Sequence, residues 1–150
     1  MKTDKELLDI AIEARNRSYA PYSHYRVGAA LMTKDGKVYT GCNIENAAYT
    51  PSNCAERTAI FKAVSEGDKD FEAIAIAGGP EGEGPVFCAP CGVCRQVLNE
   101  FCTGDLRIIL CTGKTPTGYG IKVMTLDNLL PESFGPSNLT ITLNSENNHP

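Results

Sequence analysis

The sequence predicts an α/β fold, a three-layer α/β/α sandwich with helices on both faces of a mixed sheet of about five strands. Segments in which apolar residues recur with helical spacing alternate with short apolar runs that are typical of strands. The chain has 150 residues, of which 42% are hydrophobic and 21% charged. This length and composition are those of one globular domain with a sizeable core.

The predicted elements follow the order helix, hairpin, helix, strand, helix, strand, strand. Thr3 and Glu6 form a capping box at the start of the first helix. Asp35-Gly36 is the turn signal of the hairpin, and Pro90 is expected in or near the first turn of the third helix. The predicted helices cover residues 4–17, 53–66 and 90–101, the predicted strands cover 27–33, 38–43, 71–77, 106–111 and 120–124, and a helical turn is expected at 126–130.

A single domain is predicted over residues 1–136, because neither an internal repeat nor a linker divides the chain. Residues 137–150 are rich in Asn, Ser and Pro and are interpreted as a C-terminal tail. Two states of this tail are open on the sequence: it is disordered, or Thr140–Leu143 pairs as an edge strand.

Composition and charge exclude several classes of function. The net charge of −4 argues against nucleic-acid binding, which favours a basic surface. No apolar run approaches the ~20 residues of a membrane span, and the polar residues 1–6 lack the features of a signal peptide. An odd number of cysteines, seven, then indicates reduced thiols used for metal binding or catalysis. We therefore expect a cytoplasmic protein that binds neither nucleic acid nor membrane.

Two short segments carry the candidate chemistry, Cys54-Ala55-Glu56 and Pro90–Cys94, and both coincide with predicted helix starts. The helix dipole lowers the pKa of thiols there, which favours the thiolate that a metal requires. Thiolates from Cys54, Cys91 and Cys94 would leave a fourth tetrahedral position open, as in catalytic zinc sites. A water in that position would become a nucleophile near neutral pH.

Glu56 lies two residues after Cys54 and has two possible roles. It is either a fourth zinc ligand or a proton shuttle beside the metal-bound water. Arg57 is adjacent and is expected to tune the site by donating hydrogen bonds to the ligand sulfurs.

On the residues alone, catalytic zinc competes with structural zinc, with a redox site and with plain core thiols. Cys88 adds a second, overlapping C-x-x-C pair with Cys91. Cys91 and Cys94 are preferred as ligands because Pro90 marks the helix start and Cys88 precedes it. The remaining thiols lie in or beside apolar runs and are expected to be core residues: Cys42, Cys102 and Cys111.

These motifs resemble the zinc-dependent cytidine deaminases of the small homotetrameric type, whose zinc signature includes a three-cysteine form. Four further segments are similar to this family in the same order, so the resemblance covers roughly residues 5–136. The segments are 25–30, 41–49, 94–98 and 129–134. The resemblance implies one zinc ion per chain, a homotetramer, and hydrolysis of cytidine and 2′-deoxycytidine to the uridine forms with release of ammonia, in pyrimidine salvage.

The resemblance also implies roles for individual residues. Zinc would be held by Cys54, Cys91 and Cys94, and Glu56 would be the general acid and base. The implied substrate contacts are Asn43 and Glu45 with the ribose hydroxyls, Tyr25 with the pyrimidine ring and the backbone N–H of Ala55 with the base. Tyr49 and Phe134 match positions that reach the site of a neighbouring subunit.

The sequence departs from the family pattern at four places. Tyr25 stands where the family usually has Phe, and residues 50–53, the Cys88-Ala89 pair and the long tail are unusual. Cysteine rather than histidine at position 54 points away from deaminases of polynucleotides, tRNA adenosine and free bases. Two other readings stay open, a blasticidin-type aminonucleoside deaminase and a non-catalytic zinc-binding module.

Overall fold

A mixed five-stranded sheet forms the middle layer of the protein. The structure is a computed structural model that describes residues 1–139. Its strands are β1 (Tyr25–Thr33), β2 (Val38–Cys42), β3 (Phe71–Pro80), β4 (Arg107–Thr115) and β5 (Gly118–Thr125). Its helices are α1 (Asp4–Ala14), α2 (Ala55–Ser65), α3 (Gly92–Phe101) and the short α4 (Leu126–Leu129). Two 3₁₀ turns lie at Arg15–Arg17 and Pro136–Leu139. The strand order is β2-β1-β3-β4-β5.

Turn chemistry and chain order explain this topology. Gly36, with a φ of +90°, supplies the left-handed residue of the turn between β1 and β2, which pair antiparallel. α3 lies between β3 and β4 along the chain and allows these two strands to pair parallel, whereas β1 with β3 and β4 with β5 pair antiparallel. The predicted mixed sheet is confirmed.

Each face of the sheet buries its own set of apolar side chains, because successive residues of a strand point to opposite faces. On one face, Leu7 and Leu8 of α1 pack with Met32 and Ile109. On the other face, α2 and α3 cover the sheet, and the buried side chains include Leu31, Ile60, Ile74, Leu98 and Ile108. Helices therefore lie on both faces, as the sequence predicts.

The end of α1 approaches β1 so closely that only glycine fits at position 28. A Cβ atom on Gly28 would lie 2.0 Å from the carbonyl oxygen of Ala11 and 2.5 Å from the backbone nitrogen of Arg15. The absence of a side chain at position 28 thus lets the backbone of Arg15 pack directly against the strand.

The structure corrects several predicted boundaries. β1 begins at Tyr25, two residues early, and β2 ends at Cys42, so that Asn43 follows the strand. Pro90 lies outside α3, because Cys91 is the N-cap residue and its sulfur accepts a hydrogen bond from the N–H of Cys94. Helix geometry can begin only after such a cap.

Some predictions about the tail fall beyond the part of the chain that the structure describes. The suggested edge strand at Thr140–Leu143 is one of them. The division into a domain over 1–136 and a tail stays a prediction. Among residues 1–139, no helix combines the length and the apolar character needed to cross a bilayer.

Candidate active site

The N-termini of α2 and α3 bring three cysteine sulfurs together. Cys54 and Cys91 are the N-cap residues of the two helices, and Cys94 lies in the first turn of α3. The Cys91 sulfur lies 3.7 Å from that of Cys54 and 3.5 Å from that of Cys94. All three Sγ atoms lie within 4.8 Å of one another.

This donor set fits one zinc ion. Zn–S bonds of about 2.3 Å in a tetrahedron require sulfurs about 3.8 Å apart, close to the separations found here. Thiolates are ligands that zinc accepts readily. Among residues 1–139, no fourth His, Cys, Asp or Glu side chain completes a group in which all ligand atoms lie within 4.8 Å. Three protein ligands leave one coordination position for water or substrate, which favours a catalytic site over a structural one.

Proton sharing concentrates negative charge on Cys54. The hydrogen bond with Cys94 is the main cause that lowers the pKa of Cys54 to about 5, and Arg57 and Cys91 lower it further, while burial opposes them. Arg57 donates from Nη2 to the Cys54 sulfur over 3.2 Å. The same hydrogen bond with Cys54, together with burial, raises the pKa of Cys94. Cys54 is therefore predisposed to the thiolate form, with a cation at its side.

Glu56 is a buried carboxyl group next to the sulfurs. It lies in the first turn of α2, is 4% exposed, and has Oε2 3.6 Å from the Cys94 sulfur. Burial is the main reason that the pKa of Glu56 is raised to about 7. Its own backbone N–H lowers that pKa, and the charge of Cys54 raises it. A carboxyl group of this kind can hold and release a proton near neutral pH.

A pocket of about 280 Å³ opens onto Glu56 and the cysteine cluster. Its volume is close to the lower end of the range for small-molecule sites, roughly 300–1,000 Å³. Its wall combines apolar side chains with convergent polar groups: Val27, Asn43, Glu45, Ser52, Asn53, Cys54, Ala55, Glu56, Arg57, Cys88, Ala89 and Cys91.

A larger cleft of about 1010 Å³ lies at the opposite ends of α2 and α3, beside residues such as Asp68, Asn99 and Cys102. It contains none of the three clustered thiols. The chemistry of the lining groups, rather than volume, therefore identifies the smaller pocket as the candidate site.

Asn43 and Glu45 both line the pocket, and the backbone fixes both side chains. The Asn43 amide donates from Nδ2 to the carbonyl of Tyr25 at 2.8 Å and accepts at Oδ1 from the N–H of Val27 at 2.9 Å. Glu45 Oε1 accepts from the N–H groups of Tyr22 and Ser23 at 3.0 and 3.1 Å. The hydrogen bonds from Ser23 are the main cause that lowers the pKa of Glu45.

Tyr25 is the sequence-predicted substrate contact that the structure does not bring to the pocket lining. Its ring is partly buried, and burial, followed by the charge of Cys88, raises the pKa of its hydroxyl to about 12. Cys88 does line the pocket but does not belong to the thiol cluster. The sequence did not predict Val27, Ala89, Ser52 or Asn53 as site residues, although residues 50–53 and the Cys88-Ala89 pair stood out as departures from the family pattern.

Tyr49 and Phe134 lie outside the pocket of their own chain. Their exposed fractions are 72% and 60%. Tyr49 has a left-handed backbone, with a φ of +62°, and its ring contacts Tyr22 edge to face at 6.0 Å. The carbonyl of Phe134 accepts hydrogen bonds from Gln96 Nε2 at 2.8 Å and Asn99 Nδ2 at 3.1 Å, which tie this segment to α3.

Comparison with known proteins agrees with this geometry. The family model described as the cytidine and deoxycytidylate deaminase zinc-binding region matches residues 1–110. A cytidine deaminase from Sporosarcina psychrophila is 46% identical over 136 residues, which cover 91% of this chain and 94% of that protein. One from Halalkalibacterium halodurans is 48% identical over 128 residues, covering 85% of this chain and 91% of that protein.

The fold agrees as well. The crystal structure of cytidine deaminase from Burkholderia pseudomallei matches with a TM-score of 0.77 and 43% identity, over 89% of this chain and 100% of that one. The predicted fold class, the family resemblance and the need for zinc are thereby confirmed. The chain belongs to the cytidine deaminase family of zinc-dependent hydrolytic deaminases.

Proposed function

We propose that this protein hydrolyses cytidine and 2′-deoxycytidine to uridine and 2′-deoxyuridine with release of ammonia, as a cytoplasmic enzyme of pyrimidine salvage. The observation that carries the proposal is the cluster of three cysteine sulfurs beside a buried carboxyl group in one small pocket. The identity to two cytidine deaminases along most of the chain supports the choice of substrate.

In this proposal Cys54, Cys91 and Cys94 hold one zinc ion. When bound, zinc supplies Lewis acidity that makes water a nucleophile near neutral pH. Arg57 donates to the Cys54 sulfur at 3.2 Å and so supports the thiolate form that binding requires. The apolar wall at Val27 and Ala89 helps to exclude bulk water from the reacting groups.

Glu56 moves the protons of the reaction. Its carboxylate takes a proton from the attacking water and delivers it to N3 of the base, which makes C4 electrophilic. The hydroxide that remains forms a C–O bond to C4. Glu56 then carries the second proton of the former water from this C4 hydroxyl to the exocyclic nitrogen, and the C4–N bond breaks to leave the C4 carbonyl and release ammonia. One carboxylate can serve the water, N3 and the exocyclic nitrogen because Glu56 lines the pocket next to the cluster and is buried. The net reaction consumes one water molecule and releases one ammonia.

The substrate contacts follow the pocket lining. Asn43 and Glu45 offer an amide and a carboxylate to the ribose hydroxyls, and the backbone N–H of Ala55 is available to the base. Tyr25 stays a proposed contact with the pyrimidine ring, which it would reach through a side-chain movement past Cys88, since its ring does not line the pocket.

The direct test is the ultraviolet absorbance of cytidine incubated with zinc-loaded protein. We expect conversion to the uridine spectrum, and a weaker or absent change with blasticidin S. Conversion of blasticidin S but not of cytidine would favour the aminonucleoside deaminase reading. A protein with one zinc per chain that converts neither compound would favour a structural zinc module.

Replacing Arg57 with alanine is expected to weaken zinc binding by about 10- to 100-fold. Removal of the cation at 3.2 Å raises the pKa of Cys54, so protons compete better with the metal and the loss grows as pH falls. Competition with a chromophoric chelator at pH 6 and pH 8 measures this change. Arg107→Ala, at a surface ion pair with Asp4, is the matched control. Equal zinc affinity of Arg57→Ala and wild type at both pH values would contradict the role of Arg57.

We further propose a homotetramer in which Tyr49 and Phe134 approach the site of a neighbouring subunit. Their exposure on the single chain, and the absence of either side chain from their own pocket, support this arrangement. Light scattering coupled to size-exclusion chromatography measures the assembly directly.

A further inference from the structure

Arg15 is a buried cation that is held by backbone carbonyls. It is 8% exposed. Nε donates to the carbonyl of Arg26 at 2.9 Å and Nη1 to that of Glu83 at 3.0 Å, while Nη2 donates to the carbonyls of Gly79 and Pro80 at 2.8 and 3.0 Å. Within residues 1–139 no carboxylate pairs with it. Burying a charge costs free energy unless the charge is hydrogen-bonded, so the loss of any of these four bonds is unfavourable. The guanidinium therefore holds the four carbonyls in place around it.

The four carbonyls belong to segments that lead to the pocket. Arg26 pairs with Gly79 in the β1–β3 ladder, next to the pocket residue Val27. Residues 81–85, which we call the connecting loop, follow β3 and turn back at Gly82, whose φ is +80°. The loop is closed by the N–H of Val86, which donates to the carbonyl of Gly78 at 2.8 Å. Arg15 therefore spans β1, the end of β3 and the connecting loop.

The chain that leaves the connecting loop forms one wall of the pocket. Cys88 and Ala89 line the pocket, and Cys91 of the thiol cluster follows them along the chain. Cys88 lies tightly against the end of β3, since a Cβ atom on Gly78 would be 2.7 Å from its sulfur. Val86 and Cys88 both contact Gly78, so the position of the wall depends on how the chain returns from the connecting loop onto the end of β3, whereas α3 is anchored separately by its own packing.

We propose that Arg15 is a positioning residue for the deamination reaction: without touching the substrate, it holds the connecting loop on the end of β3 and thereby sets the pocket wall at Cys88 and Ala89. The close approach of the Arg15 backbone to Gly28 places the Cα atom from which the Arg15 side chain extends. The effect on catalysis rests on the proposed function, whereas the effect on the loop does not.

The test compares Arg15→Met and Arg15→Lys with the wild type. The methionine removes all four hydrogen bonds. The lysine keeps the charge, but its compact ammonium group cannot donate to all four carbonyls, which are arranged around a planar guanidinium. We expect both to raise KM for cytidine about tenfold with kcat within about twofold, the pattern of lost substrate binding. Hydrogen–deuterium exchange of the peptide over residues 79–89 should be faster in both.

Two controls separate this role from general destabilisation. Glu83→Ala keeps the carbonyl that Arg15 uses, and Arg107→Met removes a surface ion pair with Asp4. Both should retain wild-type KM and exchange. If the Arg15 variants fail to fold, Gly79→Ala carries the test, because its Cβ would lie 2.9 Å from the carbonyl oxygen of Gly84 and 3.2 Å from Arg15 Nη2 and would push the loop away.

The outcomes are distinct. Unchanged exchange over 79–89 in a folded, zinc-loaded variant overturns the proposal, and so does an unchanged KM in an active enzyme. Failure of the wild type to convert cytidine would count against the proposed function alone, since the exchange measurement does not depend on turnover.

Discussion

Replacing Glu56 with glutamine is expected to leave zinc bound and to lower kcat for cytidine by about 10²- to 10⁴-fold, the contribution typical of a general acid–base group. Glutamine has nearly the same shape, so the packing of this 4% exposed side chain is retained. It cannot take a proton from water or deliver one to N3 and the leaving amine. Metal analysis of the purified variant and the ultraviolet assay measure the two quantities on one sample.

The control for this substitution is Glu66→Gln, which makes the same chemical change at the other end of α2, where Glu66 is the C-cap. It should keep full activity. Near-normal turnover by a metal-replete Glu56→Gln would show that the protons travel by another route. Loss of zinc in this variant would instead indicate that Glu56 contributes to holding the metal.

Replacing Cys54 with alanine is expected to weaken zinc binding by more than about a hundredfold, because removal of a residue that only supports a ligand already costs about 10- to 100-fold. Activity should fall with the metal. The remaining pair, Cys91 and Cys94, has sulfurs 3.5 Å apart but supplies only two thiolates. Zinc content after dialysis against a weak chelator, followed by the cytidine assay, measures the effect.

Cys102→Ala is the matched control for Cys54→Ala. Cys102 is partly buried against the core and lies at the far end of α3 from the cluster. Its loss should leave zinc content and turnover unchanged. Full zinc occupancy of Cys54→Ala would contradict the proposed ligand set and point to a different third donor.

The sequence predicted the sheet and its layers because these depend on local patterns. Asp35-Gly36 predicted the hairpin of β1 and β2, and the alternation of helical segments with apolar runs predicted helices on both faces of a mixed sheet. The strand order and the parallel pairing of β3 with β4 are visible only in the structure. The start of α3 was misplaced because a proline usually marks the first turn, whereas here the sulfur of Cys91 caps the helix. A side chain that both caps a helix and belongs to a thiol cluster is not foreseen by propensity alone.

The candidate site was predictable in part. Spacing and chemistry singled out Cys54, Cys91 and Cys94, whose sulfurs the fold does bring together. Val27 and Cys88 were not predicted as parts of the pocket wall, because Val27 reaches it from β1 and Cys88 from the segment that follows the connecting loop and packs on the end of β3. Such long-range arrangements leave no periodic signal in a single sequence.

The clustered sulfurs come from distant parts of the chain. Cys54 and Cys91 are 37 residues apart in sequence, and their sulfurs approach only when α2 and α3 have both docked on the same face of the sheet. A metal held by these sulfurs binds the folded state far more tightly than the unfolded chain, so binding contributes directly to the free energy of unfolding. The supply of zinc during synthesis would then govern the yield of folded enzyme, and not only its rate of turnover.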